Sequence, residues 1–231
     1  MPDALVKTAH RSAIQLEILE VLERAACMYA EQGDPNSDLR DAPEYLINVN
    51  LAQGLVAAFP TLRFRLEHPA AMYESSARQT VDARTAIGKD TARFDVVLLN
   101  KQTGIPRYII EVKRGTKIIG DAQRIISMAA LDSGRKRWRH GYLVTILRRS
   151  ETEVARIVKE LADEIEAIRS TKSAELPNHQ QVIVKCIHKR IGDSRQEPKT
   201  KAIYGLVFQV SLVDRTVTEA AEEAEQAEFD A

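Results

Sequence analysis

Residues 93–113 read RFDVVLLNKQTGIPRYIIEVK, and this stretch decides how the chain folds. Its two ends are short runs rich in Val, Ile, Leu and aromatic residues, which is typical of buried β-strands, and the turn-forming sequence NKQTGIP joins them. The pattern predicts an antiparallel hairpin. Three charged residues interrupt the apolar runs, namely Asp95, Glu111 and Lys113. Because side chains alternate between the two faces of a strand, Glu111 and Lys113 are expected to share a face.

The sequence on either side of the hairpin alternates between helix and strand patterns. Apolar residues recur every three or four positions in four segments, which predicts helices at 12–31, 43–59, 121–132 and 151–169. Short β-branched and aromatic runs predict strands at 61–66, 93–99, 107–113, 141–147, 180–188 and 202–213. Two polar stretches, 67–92 and 189–200, are predicted to be loops. This order predicts an α/β fold in which a mixed central β-sheet is flanked by helices.

The chain divides into a main domain and two extensions. We predict an N-terminal helical extension at 1–40, the main domain at 41–215 and an acidic C-terminal tail at 216–231. Residues 219–231 contain six acidic residues and no basic ones, which favours a disordered or frayed end. Without them, 33 basic residues face 27 acidic ones, so the body carries a net charge of +6 although the whole chain is neutral. A mildly basic body permits a nucleic-acid partner without requiring one.

The sequence carries no visible signal for secretion or membrane insertion. The N-terminus, MPDALVKTAHRSA, lacks the apolar segment of a signal peptide, and no apolar run is long enough to span a bilayer. The two cysteines, Cys27 and Cys186, lie in apolar stretches without companion Cys or His residues at metal-binding spacing. We therefore expect a cytoplasmic protein with two buried thiols and no membrane partner.

The charged residues of the hairpin require a partner or a metal ion, because charges inside buried strands are otherwise costly. Asp95 and Glu111 offer the hard oxygen ligands that Mg²⁺ or Mn²⁺ prefers. Such an ion polarises a phosphate group and lowers the pKa of a bound water, and Lys113 can orient that water or stabilise developing charge. The alternative is a structural ion-pair network on a half-buried sheet. Three charges inside two apolar strands favour the chemical interpretation.

An aspartate, a spacer and Glu-x-Lys on a hairpin, followed by a helix and another strand, resembles the PD-(D/E)XK nuclease superfamily. Restriction endonucleases, repair nucleases and Holliday-junction resolvases are members. The resemblance covers roughly residues 40–170 and implies a restriction-endonuclease-like core with Mg²⁺- or Mn²⁺-dependent hydrolysis of phosphodiester bonds, most readily in DNA. By position, it implies that Asp95 and Glu111 are metal ligands and that Lys113 is the catalytic lysine. Phe94 stands where the superfamily's name has proline, a position that varies widely among members.

Many members also carry a glutamate on the helix before the first strand, and Glu44 is the matching residue here. It shares a helical face with Ile47, Leu51 and Leu55, so it can point inward as a third metal ligand. A glutamate in a first helical turn also suits the helix dipole, and both interpretations stay open.

Four further residues are candidates for contact with nucleic acid. Gln123 and Arg124 begin the helix after the hairpin, where related nucleases carry residues that assist the site or contact phosphate; a solvated helix face explains them equally well. Arg93, beside Asp95, can touch DNA or cap the strand. Trp138 lies among basic residues and can stack on a base, although anchoring the following turn is the simpler explanation.

The triplet Glu-x-Lys is not specific by itself, because it occurs again at residues 197–199. That copy contains Pro198, lies in a polar stretch and follows no apolar run, so we assign the site to the first copy. Two functions remain: a metal-dependent nuclease, or a nuclease-fold module that binds DNA or a protein partner without catalysis. Intact Asp, Glu and Lys positions favour the nuclease. A homodimer is plausible, since cutting two strands commonly uses two sites.

Overall fold

The computed structural model describes residues 2–32, 37–69, 93–131, 140–176, 180–194 and 201–214. The helices are α1 (Pro2–Gln32), α2 (Glu44–Ala58), α3 (Ile119–Leu131) and α4 (Glu151–Ala174), and a short 3-10 turn at Leu39–Asp41 precedes α2. The strands are β1 (Leu62–Pro69), β2 (Arg93–Asn100), β3 (Pro106–Arg114), β4 (His140–Arg149), β5 (Gln180–Asp193) and β6 (Ala202–Asp214). The predicted α/β fold with a mixed sheet flanked by helices is confirmed.

The six strands form one sheet in the order β1-β2-β3-β4-β6-β5. β3 and β4 run parallel, whereas every other neighbouring pair is antiparallel. A parallel pair needs a crossover connection, and α3 lies in the connection between β3 and β4. The hairpin predicted from residues 93–113 is the β2–β3 pair, in which Val96 lies opposite Ile110.

Helices cover both faces of the sheet, which explains why the central strands are apolar almost throughout. On one face α1 and α2 enclose a core that includes Ile18, Leu51, Val96, Val144 and Val207. On the other face α3 and α4 enclose a second core that includes Ile125, Ile157, Val97, Leu143 and Phe208. Neighbouring residues of β2, such as Val96 and Val97, therefore belong to different cores, as the strand's alternation requires.

Helix α1, which we predicted to belong to an extension at 1–40, packs directly on the main core. Ile14, Ile18 and Leu22 are fully buried there. Its approach to α2 is close at Gly54, where a Cβ atom would lie 2.5 Å from Cγ2 of Val21. Any larger residue at this position would require the side chain of Val21 or the helix that carries it to shift. None of the described helices is long and apolar enough to cross a membrane.

Two predicted loop segments are strand instead. Residues 67–69 continue β1, where His68 is buried and pairs with Phe94. Residues 189–193 continue β5, because the backbone pairing of β5 with β6 extends to Asp193, opposite Ala202. The side chains of this part of the strand are mostly polar. Backbone hydrogen bonding here outweighs the polar composition. The rest of both predicted loops, at 70–92 and 195–200, and the predicted tail at 216–231 lie outside the described residues.

The prediction of two buried thiols is wrong for Cys27 and only partly right for Cys186. Both cysteines are free; Cys27 is exposed and Cys186 is half-buried. Cys27 directly follows the buried Ala25 and Ala26 on α1, so its apolar neighbours face the core while the next position along the helix turns toward solvent.

A buried ion pair ties the segment before α2 to the end of β4. Arg148, which is 9% exposed, donates from Nε and Nη2 to the two carboxylate oxygens of Asp38, each at 2.7 Å. The same guanidinium also donates to Asp41. Asp38 in turn accepts the backbone N–H of Arg40, and its own N–H donates to Asp41, which closes the 3-10 turn.

We expect Arg148→Met to lower the free energy of unfolding by about 3–5 kcal/mol, because the carboxylate of Asp38 would stay buried without its cation. Urea denaturation measures the change. Arg156→Met is the control, since Arg156 pairs with Glu160 on the exposed face of α4 and its loss should cost less than about 1 kcal/mol. Equal losses in both variants would contradict a special contribution from the buried pair.

Candidate metal centre

The predicted site residues meet at one end of the sheet. Asp95 lies near the start of β2, while Glu111 and Lys113 lie near the end of β3, and the antiparallel pairing places these ends side by side. Lys113 Nζ is 3.8 Å from Asp95 Oδ2 and 3.8 Å from Glu111 Oε2. The structure therefore brings together the three charged residues of the hairpin, while their chemical roles remain predictions.

Asp95 is fixed by the backbone of the neighbouring strand. The ladder between β2 and β3 pairs Val96 with Ile110. One position before Val96 on β2, the Asp95 Oδ2 atom accepts the N–H of Val112 at 2.7 Å. A side-chain carboxylate thus continues the hydrogen bonding at the end of the ladder. This charge-assisted bond fixes the orientation of the carboxyl group beside Glu111.

Helices from both faces of the sheet add a carboxylate to the cluster. Glu44, the first residue of α2, has Oε1 3.9 Å from Lys113 Nζ, so it does point toward the site. Asp121, in the first turn of α3, has Oδ2 3.9 Å from the same nitrogen. Asp121 was not among the predicted site residues. Its place in the first turn of the helix that directly follows Glu-x-Lys is the signal that would have found it.

Arg124 belongs to the cluster and Gln123 does not. Nη2 of Arg124 donates to Glu111 Oε1 and, at 3.0 Å, to Asp121 Oδ1, and its guanidinium lies 5.3 Å from the centre of the Phe94 ring. Gln123, one position earlier, is exposed. Of the two residues proposed to open α3, only Arg124 therefore touches a predicted metal ligand.

The turn after β3 sets the direction in which α3 begins, so that its first turn lies beside the site. Gly115 has φ of +118°, a conformation that residues with a side chain rarely adopt. Its N–H donates to Ile146 O at 3.1 Å and its carbonyl accepts the hydroxyl of Thr145, so the turn is bonded to β4. The chain then enters α3 with Asp121 and Arg124 facing the carboxylates of the hairpin.

Neither of the remaining candidates for contact with nucleic acid is shown in contact with the cluster. Arg93 is exposed and donates to Glu67 O at 3.2 Å, which links the edges of β2 and β1. Trp138 and the second Glu-x-Lys triplet, at 197–199, lie outside the described residues.

Burial dominates the electrostatics of the cluster. Glu111 is 2% exposed, and burial raises its pKa to about 9, with the Asp95 carboxylate adding to the effect and Arg124 opposing it. Burial by itself would lower the pKa of Lys113, but the surrounding carboxylates outweigh it and raise that pKa overall. Burial therefore favours the protonated form of Glu111, whereas the neighbouring carboxylates favour the charged form of Lys113.

The donor chemistry of the cluster fits Mg²⁺ or Mn²⁺. Four carboxylates face the cations of Lys113 and Arg124, so the fully ionised cluster carries a negative charge that a divalent ion would balance. Among the described residues, no group of three acidic, His or Cys side chains is arranged to hold a metal ion as it stands. Binding would require the carboxylates to turn from the lysine and arginine toward the ion.

Comparisons with known proteins identify no relative. No protein-family model matches the chain, and neither a curated protein nor a solved structure matches it significantly. The resemblance to the PD-(D/E)XK superfamily therefore rests on the residues of the cluster and on the order of the elements that hold them.

We expect the metal-free protein to lose stability as the pH rises from about 4.5 to about 9. In that range the unfolded chain releases the proton of Glu111 while the folded protein retains it, so folding binds a proton and is weakened by alkali. The slope attributable to one proton is at most about 1.4 kcal/mol per pH unit. Urea denaturation in the presence of a chelator, across that range, measures it. Glu111→Gln should flatten the profile; an unchanged slope in this variant would rule out Glu111 as its source.

Proposed function

We propose that this protein is a Mg²⁺- or Mn²⁺-dependent nuclease that hydrolyses phosphodiester bonds, with DNA as its substrate and the cytoplasm as its location. One observation carries the proposal. A single lysine nitrogen, Lys113 Nζ, lies 3.8–3.9 Å from carboxylate oxygens supplied by two strands and two helices, namely those of Asp95, Glu111, Glu44 and Asp121. Carboxylates and a lysine are the groups that metal-assisted phosphodiester cleavage requires.

The arrangement of elements supports the same proposal. A helix, a three-stranded antiparallel meander, a crossover helix and a parallel strand follow one another as α2, β1, β2, β3, α3 and β4. The resemblance to the PD-(D/E)XK superfamily leads us to expect a hairpin followed by a helix and a strand, with a further helix ahead of the hairpin. We infer a restriction-endonuclease-like core from this agreement.

Asp95 and Glu111, with Glu44 as a third ligand, would hold the metal ion. When bound, such an ion supplies positive charge that polarises a phosphate and acidifies a water molecule. Lys113 is kept protonated by the surrounding carboxylates, so it acts as a hydrogen-bond donor rather than as a base. In that state it can orient the attacking water and stabilise negative charge on the phosphate oxygens.

Arg124 would change partners within the same site. In the structure its guanidinium pairs with Glu111 and Asp121. If Glu111 turned toward a metal ion, N–H groups of the guanidinium would be free to donate paired hydrogen bonds to a phosphate. Arg124 would then offset the charge of the substrate instead of that of Glu111.

The rival function, a nuclease-fold module without catalysis, gains less support from the cluster. Asp95, Glu111 and Lys113 are all present and lie together, whereas a module without catalysis has no need of all three groups at one point. The homodimer that we expect for double-strand cleavage stays a prediction.

We expect Asp95→Asn and Lys113→Ala each to reduce Mg²⁺-dependent cleavage of plasmid and single-stranded DNA by at least about 10²-fold. The first variant removes a charge that would hold the metal ion, and the second removes a cation that would stabilise the transition state. Product formation on gels and circular dichroism of each variant separate lost chemistry from lost folding. Lys199→Ala is the matched control, since Lys199 ends the second Glu-x-Lys triplet, and it should cleave like the wild type. Unchanged cleavage by both site variants would refute the nuclease.

Metal binding can be measured without any substrate. Isothermal calorimetry should detect Mn²⁺ binding by the wild type, and Asp95→Asn and Glu44→Gln should each weaken it by about tenfold or more, because each removes a ligand charge. Asp163→Asn, which changes an exposed carboxylate on α4, should leave the affinity unchanged. A wild type that binds DNA but no divalent ion would instead favour the non-catalytic module.

A further inference from the structure

Two arginines at neighbouring strand ends hold the segment that leads into α2. From the end of β3, Arg114 Nη1 donates to Ala42 O at 3.0 Å and to Arg40 O at 3.4 Å. From the end of β4, Arg148 binds the carboxylates of Asp38 and Asp41. Because β3 and β4 are parallel neighbours, both arginines reach this segment from the same end of the sheet.

The start of α2 depends on these contacts because the helix has no side-chain cap of its own. Pro43 precedes it, and a proline side chain offers no hydrogen-bond acceptor. The Pro43 carbonyl accepts the N–H of Leu46 at 2.9 Å and that of Ile47 at 3.4 Å. What sets the position of the first turn is therefore the segment 38–42, in which Leu39 and Ala42 are also buried.

Glu44 is the first residue of this uncapped helix, two positions after the carbonyl of Ala42 that Arg114 binds. Its carboxylate reaches the cluster from the helix end, with Oε1 3.9 Å from Lys113 Nζ. A shift of the segment before α2 would therefore move the backbone that carries this carboxylate. Lys113 and Arg114 are adjacent on β3 and point to opposite faces, so one strand end contacts both the cluster and the segment that positions Glu44.

We infer that residues 38–42, together with Arg114 and Arg148, form a positioning device for the carboxylate of Glu44 in the metal site. Arg114 and Arg148 are positioning residues: they act on the backbone and side chains of the segment. The inference rests on the proposed function, since it gives Glu44 a part in holding the ion. Groups that orient a metal ligand commonly contribute 10–100-fold to metal affinity, roughly as much as a ligand itself.

The test compares Mn²⁺ affinity, by calorimetry, in the wild type, Arg114→Ala, Glu44→Gln and the double variant. Arg114 is exposed and bonds only to backbone carbonyls in the contacts described, so its removal should leave the fold intact. We expect about tenfold weaker binding in Arg114→Ala. If Arg114 acts through Glu44, the double variant should bind no more weakly than Glu44→Gln alone. Arg107→Ala, at the other exposed end of β3, is the control and should bind like the wild type.

Hydrogen exchange is a second readout, because it shows whether the first turn of α2 is loosened and can be compared with the change in Mn²⁺ affinity. Hydrogen exchange of the Leu46 and Ile47 amides, in the first turn of α2, should become faster in Arg114→Ala. Faster exchange with unchanged Mn²⁺ affinity would overturn the inference, and so would additive losses in the double variant. Arg148→Lys, which keeps a cation beside Asp38, should also weaken Mn²⁺ binding. A wild type that binds no Mn²⁺ would instead refute the proposed function itself, so the two failures are distinguishable.

Discussion

The buried carboxylate of Glu111 is the constraint on which this end of the molecule depends. A carboxyl group that is 2% exposed in the middle of a sheet needs either a proton or a cation close by. The structure supplies both, since burial raises the pKa of Glu111 to about 9 and the guanidinium of Arg124 lies against it. Lys113 lies beside both Glu111 and Asp95 in the same cluster. The same burial keeps Glu111 beside Lys113, around which the other carboxylates of the cluster gather.

The fold delivers charged groups to that point from every layer. Two antiparallel strands contribute Asp95, Glu111 and Lys113, and the helices on opposite faces begin beside them with Glu44 and Asp121. The beginnings of both helices carry partial positive charge, which suits a site for carboxylates and phosphate. Their positions are set by contacts outside the cluster, at Gly115 for α3 and at the segment before α2. The positions of Glu44 and Asp121 thus depend on two connecting segments whose own residues are not part of the cluster.

Much of this fold follows from local patterns in the sequence. Periodicity and strand composition predicted the four described α-helices and the six strands, because each element repeats one pattern over many residues, although α1 begins at Pro2 rather than at residue 12. One error arose where composition and strand pairing disagree: residues 189–193 are mostly polar, yet β6 pairs with them. Asp121 was missed as a site residue for a similar reason, since a helix cap and a site carboxylate look alike until the turn at Gly115 gives α3 its direction.

The sequence by itself determined the α/β order of elements, the hairpin, and the shared face of Glu111 and Lys113, because the two-residue period of a strand is a local property. Only the tertiary structure decided that α2 and α3 meet at Lys113 from opposite faces of the sheet. It also decided that Arg124 rather than Gln123 contacts Glu111. The contact of Arg148 with the segment before α2 is a third such outcome. Those outcomes depend on how distant elements pack, and no local period encodes the distance between residues far apart along the chain.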